Sequence, residues 1–375
     1  MNSSSIPYQK SLDGIRGLAI LLVMLRHQQI TTFGWIGVQL FFILSGYLIT
    51  RILITEKEKN IPVWIKLKNF WMRRILRIFP IYYLYLAILL IVWLGFNLSD
   101  DFLKDFPFLF TYTYNFYLSK TLDFFHFPVI HLWSLSVEEQ FYLFYPFVVL
   151  FLRSKHLKVA VFVLIIFSIC FRFFYSEHLT NIFTASDEIV EKTHYLTFSH
   201  LDFFLSGAGI VIFRLNKLSI ALQNILFFLA FLTLVAGGLI LFTAMYGTPF
   251  CTLCYLKDFG FQFESMKFQW PYIVLNFFLV SLILILVVEQ KGRLHYFMNK
   301  IFSLKLVVSV GKVSYGMYII HLGISYLFSF YRSKIGFISN GYILFIFYAI
   351  IVYLLSLLLY NVYEKKFLNL KERFR

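Results

Sequence analysis

Apolar runs long enough to cross a bilayer recur from one end of this 375-residue chain to the other. Candidate spans lie near 15–30, 36–53, 78–96, 139–152, 158–175, 200–214, 219–242, 271–289, 306–329 and 342–360. Runs of about 17 to 25 apolar residues match the thickness of a membrane when helical. In lipid every backbone N–H and C=O must be satisfied within the segment, which restricts a repeatedly spanning chain of this kind to helices. The predicted fold class is therefore an all-α integral membrane protein, a bundle of about ten transmembrane helices. No polar block is long enough for a separate soluble domain, so residues 1–375 are expected to form one membrane domain. Composition agrees: 60% of residues are hydrophobic and 21% aromatic, against about 45–50% apolar in soluble proteins. The polar start, MNSSSIPYQKSLDG, leads into an apolar run that carries Arg16, Arg26 and His27 with no small-residue cleavage site after it. No removable signal peptide is expected.

The formal net charge of +15 raises the question of a nucleic-acid partner, and its distribution answers it. With the N-terminus placed in the cytoplasm and the connections assigned alternately, twenty-three lysines and arginines fall inside and seven outside. That asymmetry follows the positive-inside rule and places both termini in the cytoplasm. The basic excess is a topology signal in a lipid bilayer, and no nucleic acid is expected. Two connections are long. Residues 54–77 combine Trp64, Phe70 and Trp71 with Lys66, Lys68, Arg73, Arg74 and Arg77, and read as a basic interfacial helix leading into the third span at Pro80. Residues 97–138 carry Asp100, Asp101, Asp105 and Asp123 with breaks at Pro107 and Pro128, and suit an outward segment lining or covering a cavity. Cys251 and Cys254 form a C-x-x-C that can close a local disulfide; three cysteines make no disulfide framework, and the nine histidines show no metal-binding spacing.

Three clusters can carry chemistry. Arg16 and His27 are eleven residues apart, so in a helix they fall within about 20° of one face and about 16.5 Å apart along it. Arg16 snorkelling to an interface and His27 bonding a carbonyl is one reading. A histidine that moves a proton in a dry site, with an arginine holding an anion arriving from the cytoplasm, is the other; position alone does not choose between them. In FWMRRILR, 70–77, the basic residues suit an anchor on anionic lipid. Equally, Arg73 and Arg77, one turn apart, with Arg74 between them, suit a clamp for phosphates. In HLWSLSVEEQFYLFYP, 131–146, Glu138 and Glu139 are comfortable at a helix N-terminus. Facing outward beside the end of the first span, they would also be placed to orient His27. His200, Asp202 and His321 read as hydrogen-bonded structural groups whose intramembrane placement leaves a functional role open.

Taken in order, these segments resemble the acyltransferase family 3 membrane proteins. The matching pieces are LDGIRGLAILLVMLRH with Arg-x10-His at 16 and 27, GVQLFFILSGYLIT at 37–50 and F-x-x-R-R at 70–74. They continue with LWSLSVEEQFYL at 132–143, HLDFFLSGAG at 200–209 and SYGMYIIH at 314–321. The resemblance implies an O-acetyltransferase of a bacterial cytoplasmic (inner) membrane. Acetyl-CoA inside would donate an acyl group to a hydroxyl of a surface or lipid-linked glycan, such as lipopolysaccharide O-antigen, capsule or exopolysaccharide, without a metal. It makes His27 the catalytic base, Arg16 its partner, Glu138 the carboxylate of the W-S-L-x-V-E signature, and Arg73 and Arg74 the donor-side arginines; Arg77 joins them as a further candidate for the donor phosphates. Ser45 and Gly46 match an S-G-[FY] turn, and Trp133 and Glu139 join them as substrate or structural candidates. Where the family reads G-V-D-x-F-F this chain has Gln39, which puts a proton-relay role there in doubt. With YEKKFLNLKERFR at its end, the chain is expected to lack the soluble hydrolase-like domain of some relatives. A transporter of a glycolipid or small anion, and a non-catalytic scaffold, are the competing readings.

Overall fold

A computed structural model describes residues 8–31, 33–96, 101–121, 128–180, 186–246, 270–335 and 341–374. Among the described residues the structure is helical, without strands. The elements that position the site are α1 (Lys10–His27), α2 (Ile36–Lys57), α3 (Val63–Phe96), α4 (Asp101–Phe110), α5 (Tyr114–Thr121), α6 (Trp133–Phe151), α7 (Ser154–Thr180), α8 (Ser186–His194) and α9 (Leu201–Ile212). They are followed by α10 (Ile220–Tyr246), α11 (Trp270–Val287), α12 (Arg293–Phe302), α13 (Lys305–Lys312), α14 (Ser314–Ile335) and α15 (Gly341–Leu359), which continues through a π-helical turn into α16 (Lys365–Leu370).

Each expected apolar segment falls on helix, with 306–329 divided between α13 and α14, yet fewer qualify as spans. Among the described residues, five helices are long and apolar enough to cross a membrane, or six if α13 and α14, bent by 74° at their junction, are one span. The shortfall has a physical cause. α1 and α6 carry Asp13, Arg16, Glu138 and Glu139, and α9 and α11 are short. The basic segment is not a separate interfacial helix: α3 runs unbroken from Val63 through Pro80 to Phe96. The proline forfeits one backbone hydrogen bond, a loss that packed transmembrane helices tolerate. Of the acidic residues expected outside, Asp105 is fully buried and receives the Tyr114 hydroxyl at 3.2 Å. Asp100, Asp123, Cys251 and Cys254 lie outside the described residues.

α2 is the most enclosed of the long helices and packs on α1, α6 and α9, while α15 turns most of its surface outward. Close approach of α2 to α9 depends on Gly46 and Gly207, where a methyl group would overlap the carbonyl oxygens of Phe204 and Ile43 respectively. On its other side α9 is tied to α7 by a buried bidentate pair, with Arg172 Nη1 and Nη2 2.7 and 2.8 Å from the Asp202 carboxylate. Ser168 and Asn276 add hydrogen bonds to the same carboxylate. Asp202 is thus the structural group expected.

α1 ends just past His27. The Ile30 amide bonds the Leu25 carbonyl and the Gln29 amide the Arg26 carbonyl, with Gln29 left-handed at φ 57°. This is a Schellman turn, built here on a residue other than the usual glycine. Gln28 Nε2 reaches Ser325 Oγ at 2.5 Å, fastening the end of α1 to α14.

Candidate active site

Most of the polar side chains singled out in the sequence divide between two cavities that share Val38 and Tyr318 as walls. The first, about 170 Å³, is lined by Arg16, Ser45, Arg74, Arg77, Glu138, Tyr142 and Tyr315 among apolar residues of α2. Arg16 is held by its own helix, Nη1 2.7 Å from Asp13 Oδ1. Asp13 Oδ2 also receives the Tyr8 hydroxyl at 2.6 Å. Asp13 therefore offsets the Arg16 charge, leaving Arg74 and Arg77 facing the single carboxylate of Glu138. Arg74 lies 5.8 Å from the ring centres of Phe70 and Tyr142, and its buried Nε has no hydrogen-bond partner. Desolvated guanidinium groups with unused donors favour an anionic ligand, phosphate above all.

The order along α3 explains which arginines face inward. Trp71 Nε1 donates to the Tyr142 carbonyl at 3.1 Å and fixes the rotation of α3 against α6. With 100° per residue, Arg74, Arg77 and Ile78 then share the cavity face. Arg73 falls to the side, with Nη2 3.0 Å from Glu56 and Nη1 2.6 Å from the Phe374 carbonyl. Arg73 is thus a tie to α2 and to the C-terminal segment; of the three arginines expected on the donor side, Arg74 and Arg77 line the cavity and Arg73 does not.

The second cavity, about 580 Å³, is lined by Arg26, His27, Gln29, Trp35, His131, Trp133, Glu191, His194 and Tyr195. Trp133 packs edge-on against His194 and Tyr195 with ring centres 4.7 and 5.4 Å apart. His27 Nδ1 is 2.9 Å from His321 Nε2. The His131 ring lies 4.7 Å from that of His321, and its Nε2 is 3.1 Å from the Ile319 carbonyl. Among the described residues of the 97–138 connection, Ile130, His131 and Trp133 line this cavity.

Arg16 and His27 thus serve two compartments from opposite ends of α1, as their eleven-residue spacing implies. Glu138 does not orient His27. It accepts hydrogen bonds from the hydroxyls of Ser45 and Tyr142, and it lines the arginine cavity. The partner of His27 is His321, expected as a structural group; its signals in the sequence are an ionisable side chain in mid-span and its place at the end of the SYGMYIIH motif. Asp13 was also missed, although a carboxylate three residues before an arginine on a helix is a readable pair. Glu139 faces a third, apolar cavity with Phe79, Tyr112 and Phe144, and its Oε1 is unpartnered. Gly46 is a packing residue. Gln39, fully buried, has its Nε2 3.4 Å from His200 Nδ1, while His200 Nε2 lies 2.6 Å from the His194 carbonyl. The carbonyl fixes the proton on Nε2, so Nδ1 accepts from the Gln39 amide, a bond an ionised aspartate could not donate.

Fold and cavities together define a multi-pass membrane protein with a charged site buried among its helices. The chain belongs to acyltransferase family 3: the family's sequence profile, described as an acyltransferase domain, matches residues 9–361. It is similar to peptidoglycan O-acetyltransferase OatA of Listeria monocytogenes serovar 1/2a, 29% identical over 327 residues, 84% of this chain and 49% of the relative. It is also similar to O-acetyltransferase OatA of Staphylococcus aureus (36% over 157 residues; 40% of this chain, 26% of the relative). A putative O-acetyltransferase of S. aureus strain MSSA476 is 38% identical over 151 residues, 37% of this chain and 24% of the relative. The chain spans about half the length of the Listeria relative and about a quarter of the staphylococcal ones. No solved structure matches.

Proposed function

We propose that this chain is a membrane O-acetyltransferase that moves an acetyl group from acetyl-CoA to a hydroxyl of a cell-envelope glycan. The observation that carries it is the back-to-back pair of cavities, one lined by arginines and one by histidines and aromatic rings, divided by Val38 and Tyr318. In this reading the arginine cavity faces the cytoplasm of a bacterial inner membrane with both termini inside, an orientation supported by the excess of lysine and arginine on the connections assigned to the cytoplasm.

In this reading the phosphates of the donor bind Arg74 and Arg77, with Arg16 at the inner end of α1. The pantetheine arm passes Tyr318, bringing the thioester to His27. His27 takes the proton of an acceptor hydroxyl as its oxygen bonds to the acetyl carbon. The carbon–sulfur bond breaks, and the thiolate leaves and is protonated to give free CoA and the O-acetyl ester. Trp133 and Tyr195 offer faces on which a sugar ring can lie. Glu138, with Ser45 and Tyr142, orders the arginine cavity and limits its charge. The names of the relatives make peptidoglycan the first acceptor to try, beside lipopolysaccharide O-antigen, capsule and exopolysaccharide.

The test uses the protein in lipid nanodiscs with acetyl-CoA and each acceptor, following ester formation and CoA release. His27→Ala is expected to lower the rate by about 10²- to 10⁴-fold; undiminished ester would remove His27 from the mechanism. Solute movement in proteoliposomes without loss of acetyl-CoA would favour transport instead.

A further inference from the structure

His321 is fully buried on α14 and lines neither cavity. Its Nδ1 lies 2.6 Å from the Tyr318 carbonyl oxygen and its Nε2 2.9 Å from His27 Nδ1. A carbonyl only accepts, so His321 Nδ1 carries the hydrogen. A neutral imidazole has one N–H and one lone pair, which leaves the lone pair of His321 on Nε2. His27 Nδ1 must then be the donor in the contact between the two rings, and His27 Nε2 is left unprotonated.

We propose that His321 is a positioning residue that fixes the tautomer and ring orientation of His27, so that the base presented to the histidine cavity is Nε2. This rests on the reading of His27 as the proton acceptor. The hydrogen bond made by one ring nitrogen decides which form the other takes, the task a carboxylate performs in many hydrolytic triads. Here Glu138 is committed to Ser45 and Tyr142 in the other cavity, and the group facing His27 Nδ1 is the His321 imidazole. A neutral imidazole is the cheaper partner inside a membrane, because it brings no charge to desolvate while its protein partner is idle. When His27 becomes protonated in the reaction, its Nδ1–H still has the His321 lone pair as acceptor. The arrangement is anchored on both sides: Tyr348 donates to the His321 carbonyl at 2.8 Å, and Gln28 to Ser325 at 2.5 Å, four residues further along α14.

The test compares wild type, His27→Ala, His321→Leu and His321→Gln in nanodiscs. His321→Leu removes the acceptor and is expected to lower kcat about 10²-fold or more, with the KM for acetyl-CoA little changed. His321→Gln, whose amide oxygen can accept from His27 Nδ1–H, is expected to recover at least a tenth of wild-type kcat. Full activity of His321→Leu, or a His321→Gln variant no better than leucine, overturns the proposal while leaving His27→Ala to report separately on the base. If His27→Ala is itself fully active, the base reading fails and takes this inference with it. Nitrogen-15 spectra of histidine-labelled wild-type protein, with the His27 signals identified by their loss in His27→Ala, give a readout that needs no folded His321 variant. A protonated Nδ1 and bare Nε2 at His27 are expected; the opposite tautomer overturns the proposal.

Discussion

Replacing Gly46 by alanine probes whether the site depends on the approach of α2 to α9. A Cβ at position 46 would lie 2.9 Å from the Phe204 Cα and closer still to its carbonyl oxygen. Carbon atoms normally stand about 3.5–4.0 Å apart. The neighbour is backbone, not the end of a flexible side chain, so the two helices must separate by on the order of 1 Å. Overpacking of this kind costs about 1–3 kcal/mol. It also moves Ser45, which adjoins Gly46 and bonds Glu138 at the edge of the arginine cavity. A displacement of about 1 Å in a catalytic constellation can lower the rate about 10²-fold. Gly46→Ala should therefore melt several degrees below wild type in nanodiscs and lose most ester formation, although residue 46 touches neither cavity. Gly95→Ala is the control. No atom lies within 4 Å of its Cβ, and alanine is favoured over glycine in a helix by about 0.8–1.0 kcal/mol, so stability should hold or rise. A Gly46→Ala protein that melts and acts like Gly95→Ala would refute the packing account.

Two further substitutions separate structure from binding. Arg172→Ala leaves Asp202 charged and buried and should cost about 3–5 kcal/mol, seen as a lower melting temperature. The double variant Arg172→Met/Asp202→Leu should recover most of it, and failure to recover would mean the pair contributes more than mutual neutralisation. Arg74→Ala should weaken acetyl-CoA binding about 10- to 100-fold, the value of one hydrogen bond to a charged group, about 1.5–3 kcal/mol. Arg73→Ala should leave donor affinity nearly unchanged while lowering stability through loss of Glu56 and the Phe374 carbonyl, and equal effects on donor binding would contradict the rotation of α3 set by Trp71.

Much of the site was legible because it is local. The eleven-residue spacing of Arg16 and His27 already put them on one helical face three turns apart, and the motifs around Ser45, Arg74 and Trp133 marked the helices that meet there. Less legible is which side chains of different helices meet. Position along the chain puts Glu138 at the same end of the bundle as His27, whereas the packed helices turn it toward Ser45 and Tyr142. Spacing along the chain groups Arg73, Arg74 and Arg77 together, whereas one residue is a rotation of 100° and turns Arg73 away from the cavity that Arg74 and Arg77 line.

By itself, then, the sequence determined that backbone polar groups must be satisfied within helices, that apolar segments recur along the chain, and that six short motifs occur in family order. Each of these depends on residues near one another in the chain. Only the tertiary structure decided that His27 meets His321, 294 residues away, that Glu56 and Phe374 draw Arg73 aside, and that Glu138 belongs with the arginines. Those outcomes depend on the rotation and closeness of packed helices, which glycine contacts and single anchors such as Trp71 set, and which periodicity along one helix does not encode.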